Sequence, residues 1–125
     1  MTQYATNQYK MTQVNTADQG KLILMMYDGA IRFVEIAKTK LTENDVAGKG
    51  IYISKAEAVI SELMASLNME SGGEVALSLE KLYVFMNKQL RIANVNKDTK
   101  PLDVVLNILN ELKEAWVKIF EGKNG

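Results

Sequence analysis

Apolar residues recur along most of the chain at helical spacing. From Leu22 they fall at 22, 26, 30, 33, 37 and 41, in steps of three or four, with a second stripe at 23, 27, 31 and 34. This period predicts an amphipathic helix over about 17–42, and the second stripe widens its apolar face beyond what one seam needs. Asn44 and Asp45 supply a stop and a new cap. Apolar positions 53, 56, 60, 63 and 67 follow, flanked by 52, 59 and 64. Gly48 and Gly50 weaken the first turns, so this second helix is expected to be firm only from about Ile51 to Asn68. Gly72-Gly73 breaks the chain, and Glu74 opens a third helix with apolar positions 75, 79, 82, 86, 90 and 93. It ends in the polar stretch Asn94 to Lys100. Pro101 suits the first turn of a fourth helix capped by Asp98 or Thr99. The stripe of that helix, 102, 105, 109, 112, 116 and 119, has the alternating three-and-four step of a bundle seam. The tail EGKNG is expected to fray.

Four helices joined by short loops predict an all-α fold, an antiparallel up-down four-helix bundle. No segment shows the sustained alternation of a strand. Residues 1–15 are polar, with Tyr4, Tyr9, Met11 and Val14 set among Thr, Gln and Asn, and hold no helical period. They read as an extended, flexible N-terminal arm, and 16–121 as the bundle domain. Thr16 and Gln19 have capping-box spacing, and Asp18 is an acid in the first turn. Gly20 and Gly29 interrupt the first helix. For Gly29, between Asp28 and Ala30, close approach of a neighbouring backbone is the expected reason.

Composition removes whole classes of chemistry. The chain of 125 residues has no cysteine and no histidine, hence no disulfide, no thiolate metal site and no imidazole base or ligand. The Glu-x-x-His pairs of di-metal bundles are therefore absent, and no cofactor or metal site is expected. Fifteen cations balance fifteen anions, which gives no basic bias for nucleic acid. The longest apolar run, Leu22 to Tyr27, is far too short to span a membrane, and the first ten residues lack the apolar core of a signal peptide. A cytoplasmic protein with no membrane insertion is expected. No nucleophile sits in a recognisable context. An enzyme acting on an anionic substrate would need Arg32 and Arg91, the only two arginines, to converge; the reading here is that the protein is not an enzyme.

Binding has more to work with. The first helix carries its second stripe, and the second helix sets Ile60, Met64 and Leu67 beside Val59 and Leu63. Met25, Met26, Met64 and Met86 lie on these apolar helices, and methionine adapts to varied partners. The excess apolar width predicts a groove that receives an amphipathic segment of another protein, with the arm able to cover it. Self-association through the same faces, as a homodimer, is the rival reading from a structural class.

Three stretches resemble the flagellar export chaperone family of FliS-type proteins. The first is VNTADQGKLILMMYDGAIRF, Val14 to Phe33; the second is ISELMASLNMESGGEVALSLEKLYVFM, Ile60 to Met86, with its Leu-Asn-Met-Glu-x-Gly-Gly-Glu turn; the third is the loop Ala93 to Asp98 followed by Leu112 to Trp116. The family usually has Ser-Pro-Glu after Thr-Ala, where this chain has Asp18-Gln19-Gly20, so a looser first turn is expected. The resemblance implies a secretion chaperone that binds the C-terminal helical segment of flagellin, prevents its premature polymerisation and delivers it to the flagellar type III export apparatus. It implies flagellin, an export-gate component and other flagellar regulators as partners. Carried over by position, Ile23, Tyr27, Ile31, Ile60, Met64, Leu67, Leu82 and Phe85 are the expected flagellin contacts. Tyr9 and Met11 of the arm are the expected groove cover or export-gate contact.

Overall fold

Four helices run in sequence through the computed structural model, which describes residues 16–124. They are α1 (Thr16–Thr42), α2 (Val46–Ala65), α3 (Met69–Asn96) and α4 (Lys100–Asn124), separated by three-residue links. Among the described residues there is no strand. Each helix packs against its neighbours in sequence and α4 returns to α1, so the bundle closes as a ring. The expected all-α four-helix bundle is therefore the observed one. Residues 1–15, and with them Tyr9 and Met11, lie outside the described residues.

Local chemistry sets the ends. The Asp45 carboxylate accepts from the Gly48 N–H at 2.9 Å, so α2 is helical from Val46 and not only from Ile51. Gly48 makes that cap possible, because a Cβ there would stand 2.5 Å from Asp45 Oδ2. Asn68 accepts from the Ser71 N–H at 3.0 Å and starts α3 one turn before Glu74. Gly73, at φ 54° and ψ −131°, then breaks the helix internally, in the left-handed region that suits glycine. Lys97, at φ 52°, ends α3. Asp98 accepts from the Lys100 N–H at 3.0 Å and opens α4. The tail expected to fray continues α4 to Asn124.

The core is a single apolar cluster. α1 contributes Tyr27, Ala30, Val34 and Ala37, and α2 contributes Ile53, Ala56, Ile60 and Leu63. Tyr83, Met86, Leu90 and Ala93 come from α3, and Leu102, Val105 and Leu109 from α4. The second stripe of α1 is thus part of the core side: Tyr27 and Val34 are fully buried, while Ile23 and Ile31 pack on the cluster. The reason is geometric. A helix in a closed ring has a neighbour on each side, so its buried arc is wider than one seam. On α3 the core line runs through Ala76 and Tyr83, where Val75 and Leu82 were expected, while Met86, Leu90 and Ala93 are buried as expected; Ala76 and Tyr83 stand fourteen and seven residues before Leu90, on its line of the helix. Gly29 does not mark a close backbone approach. A Cβ there would meet nothing within 4 Å, whereas a Cβ on Gly20 would stand 3.0 Å from the Phe120 ring.

Ion pairs tie the outer edges. Lys38 to Asp103 at 2.7 Å and Lys113 to Asp28 join α1 to α4, and Arg91 to Glu57 at 3.5 Å joins α3 to α2. Such exposed pairs contribute little each, about 0–1 kcal/mol. Lys49 is buried, and its ammonium donates to the Asn94 carbonyl at 2.9 Å, meeting the negative end of α3.

Candidate functional site: an apolar cleft at one end of the bundle

A cleft of about 220 Å³ opens where α2 gives way to α3. Its walls come from all four helices: Ile23 of α1, Leu63 and Leu67 at the end of α2, Val75, Ala76 and Leu79 at the start of α3, and Trp116 of α4. The chain is shaped for this locally. Ser66 closes α2, its N–H donating to the Glu62 carbonyl at 3.0 Å and its hydroxyl to the Leu63 carbonyl at 2.7 Å. Asn68 spends its side-chain oxygen on Ser71. One wall is then the short turn Met69 to Gly72, folded back by the Gly73 break. A Cβ on Gly72 would lie 2.6 Å from the Ala76 Cβ, so glycine lets that turn sit close. The Ser66 hydroxyl and the Asn68 side-chain oxygen are thus engaged with backbone, and the rest of the lining is mostly apolar.

Two aromatic residues, Tyr83 and Trp116, line the cleft, and Tyr27 is buried behind them. Trp116 Nε1 donates to the Tyr27 hydroxyl at 3.1 Å, and the Tyr27 hydroxyl is hydrogen-bonded to that of Tyr83. This chain links α4, α1 and α3 across the centre of the ring. Burial pushes both phenols above the ordinary value near 10; for Tyr27 it outweighs the hydrogen bonds from Tyr83 and Trp116 that pull the other way. Phe120 stacks on Trp116 with centroids 5.5 Å apart and rests where Gly20 has no side chain. The departure at Asp18-Gln19-Gly20 therefore seats an aromatic ring.

A second apolar surface lies along the α3–α4 edge. Asn87 and Arg91 reach Ser61 and Glu57 of α2. At about 100° per residue, Leu82, Phe85 and Ile92 fall on the opposite flank, towards α4. Phe85 is 41% exposed, and Val104 and Ile119 are exposed on α4.

The structure separates the expected contact residues into three groups. Ile23 and Leu67 are brought together in the cleft. Leu82 and Phe85 lie on the α3 flank, half-buried and exposed respectively. Ile31 and Met64 are half-buried and packed on the core, and Tyr27 and Ile60 are 0% exposed. A side chain with no exposed surface touches no partner in this conformation, so Tyr27 and Ile60 are core residues. Sequence reasoning missed Val75, Leu79, Tyr83 and Trp116 as cleft residues. The signals were the single tryptophan and the Gly-Gly break, which folds the chain back beside the cleft and leaves Val75 70% exposed there. Arg91 pairs with Glu57, and Arg32 is exposed on α1; neither lines the cleft. Among the described residues no cluster of acids could hold a metal, and no helix is long and apolar enough to cross a membrane.

The family model described as flagellar protein FliS matches residues 1–123. The chain belongs to the FliS family. Members named flagellar secretion chaperone FliS share its sequence across most of both chains. The one from Vibrio cholerae is 35% identical over 108 residues, 86% of this chain and 79% of the relative. The one from Salmonella typhimurium is 37% identical over 107 residues, covering 85% and 79%. The one from Bacillus subtilis is 30% identical over 115 residues, covering 92% and 85%. The FliS match includes residues 1–15, so the family resemblance extends beyond the described helices and the cleft.

Proposed function

We propose that the chain is a flagellar secretion chaperone that holds the C-terminal helical segment of flagellin in the cytoplasm, prevents its premature polymerisation and delivers it to the flagellar type III export apparatus. The observation that carries this reading is an open apolar cleft continuous in character with an exposed apolar flank, with the Ser66 hydroxyl and the Asn68 side-chain oxygen engaged with backbone. Such a surface favours an apolar helical segment, with burial offsetting the ordering cost of a segment disordered alone. Membership of the FliS family, whose relatives carry the chaperone name, supports the same partner. The contacts assigned are Ile23 and Leu67 in the cleft, Leu82 and Phe85 on the flank, and Ile31 and Met64, which are half-buried against the core cluster. Tyr9 and Met11 stay assigned to the arm as a cover for this surface or a contact for the export gate.

The test is a calorimetric titration of the flagellin C-terminal segment into the full chain. One-to-one binding at micromolar affinity or tighter, with a negative heat-capacity change, is expected. Absence of heat at several temperatures, with the bundle shown folded by circular dichroism, overturns the reading. A protein that is dimeric by mass and stays dimeric in the presence of the segment would instead favour self-association through the flank.

A further inference from the structure

The charges of this chain cancel in total but not in place. Between Lys55 and Lys81 lie five glutamates, Glu57, Glu62, Glu70, Glu74 and Glu80, and no lysine or arginine. All fifteen cations therefore fall outside this stretch, against ten of the fifteen anions. The stretch is the α2–α3 hairpin that supplies most of the cleft lining. Glu57 pairs with Arg91, but among the described residues Glu62, Glu70, Glu74 and Glu80 have no cation within 4.0 Å. Glu62, Glu70 and Glu74 are exposed. They alternate along the chain with the lining residues Leu63, Leu67, Gly72 and Val75, so they edge an apolar surface. Among the described residues no group of acids could hold a metal, so this charge is not that of an ion site.

The opposite walls offset this charge only in part. On α4, Lys113 pairs with Asp28 and Lys118 with Glu114, and α1 adds Lys21, two residues before Ile23. Like charges held together repel one another, and a cleft with apolar walls and an edge of one sign concentrates the field at its mouth. A partner that brings positive charge relieves the repulsion, and one that brings negative charge adds to it. The lining asks at the same time for an apolar side chain. Resting on the proposed chaperone reading, we infer that the cleft selects a cargo segment whose apolar anchor carries a lysine or arginine within one helical turn, with Glu62, Glu70 and Glu74 recognising the cation. These carboxylates speed the encounter with a basic segment and reject an acidic one of the same apolar pattern.

The test uses the full chain and the flagellin C-terminal segment. Glu70→Gln and Glu74→Gln, singly and together, keep the side-chain size and remove the charge. Both sites are exposed, so the melting temperature should hold. At low salt each should weaken binding about two- to fivefold, as for one exposed ion pair, mostly through slower association. The difference should close in about 0.5 M salt, where exposed charges are screened. Glu43→Gln, exposed at the other end of the bundle, controls for net charge and should bind as the parent chain does. A charge exchange tests direct contact: Glu74→Lys should lose affinity for the natural segment and regain it for a segment whose lysines and arginines are replaced by glutamate. Binding by the double variant within twofold of the parent chain at low salt, an equal loss in Glu43→Gln, or no regain in the exchange overturns the inference and leaves the chaperone reading standing. Failure of the parent chain to bind the segment removes both.

Discussion

Replacing Gly29 by alanine should stabilise this protein. Gly29 lies inside the long helix α1, and its added methyl would meet nothing within 4 Å. No strain or clash therefore opposes the gain in helix propensity. That gain is about 0.8–1.0 kcal/mol for alanine over glycine in a helix interior, much of it through a less flexible unfolded chain. With an unfolding entropy of roughly 2.1 cal/mol/K per residue and 125 residues, 1 kcal/mol corresponds to a rise of about 4 °C in Tm. Thermal unfolding followed by circular dichroism, with urea unfolding at 25 °C alongside, reads both quantities. Gly72→Ala is the contrast: its Cβ would stand 2.6 Å from that of Ala76, so the same substitution should destabilise. If Gly29→Ala lowered stability by more than about 0.5 kcal/mol while the urea slope stayed constant, the propensity argument would be refuted and Gly29 would have to support a packed contact after all.

Two further outcomes follow from burial. Ile60→Ala, which empties a fully enclosed site, should cost about 2–5 kcal/mol of stability and leave the affinity of the folded fraction for the flagellin segment intact. Leu67→Ala should cost under about 1 kcal/mol, as expected for partial burial, and weaken binding; urea unfolding and calorimetry on both variants check the split, and the opposite pattern would exchange their roles. The raised phenol values of Tyr27 and Tyr83 set a sign for pH. Below about pH 10 both states keep these groups protonated, so they add no pH dependence. Above it the unfolded chain ionises first, and stability falls by about 1.4 kcal/mol per pH unit for each tyrosine held protonated. Urea midpoints measured from pH 9 to 11 should decline in the parent chain and decline less in Tyr83→Phe.

Much of the fold was legible because its signals are local. Asp45 and Asp98 cap the helices that follow them, and the seam of α4 reads directly as Leu102, Val105 and Leu109; the Asn68 cap, one turn before Glu74, was not read. Phase was harder. A period of three and four residues says that a helix has a buried arc, but not where the arc is centred when apolar residues cover more than half the circumference. That is why the stripe holding Tyr27 and Val34 looked like surplus surface. On α3 the difficulty was that Leu82 and Tyr83 are adjacent and both apolar in character, so spacing to Met86 and to Leu90 fits either, and only the packing buries Tyr83. The cleft itself was not legible, because Ile23, Leu67 and Trp116 lie far apart in sequence and meet only when the ring closes.

That closure has a consequence for the order of assembly. Three of the four helix interfaces join sequence neighbours across three-residue links, and short loops close quickly and at little entropic cost. The fourth, between α1 and α4, is the long-range one, and it is sealed by Trp116 on Tyr27, Phe120 over Gly20 and two ion pairs. Because one wall of the cleft is Trp116, a nascent chain whose first three helices have left the ribosome carries an incomplete pocket. On the proposed function, cargo capture is deferred until α4 has been synthesised and docked, and translation itself times when the chaperone becomes competent.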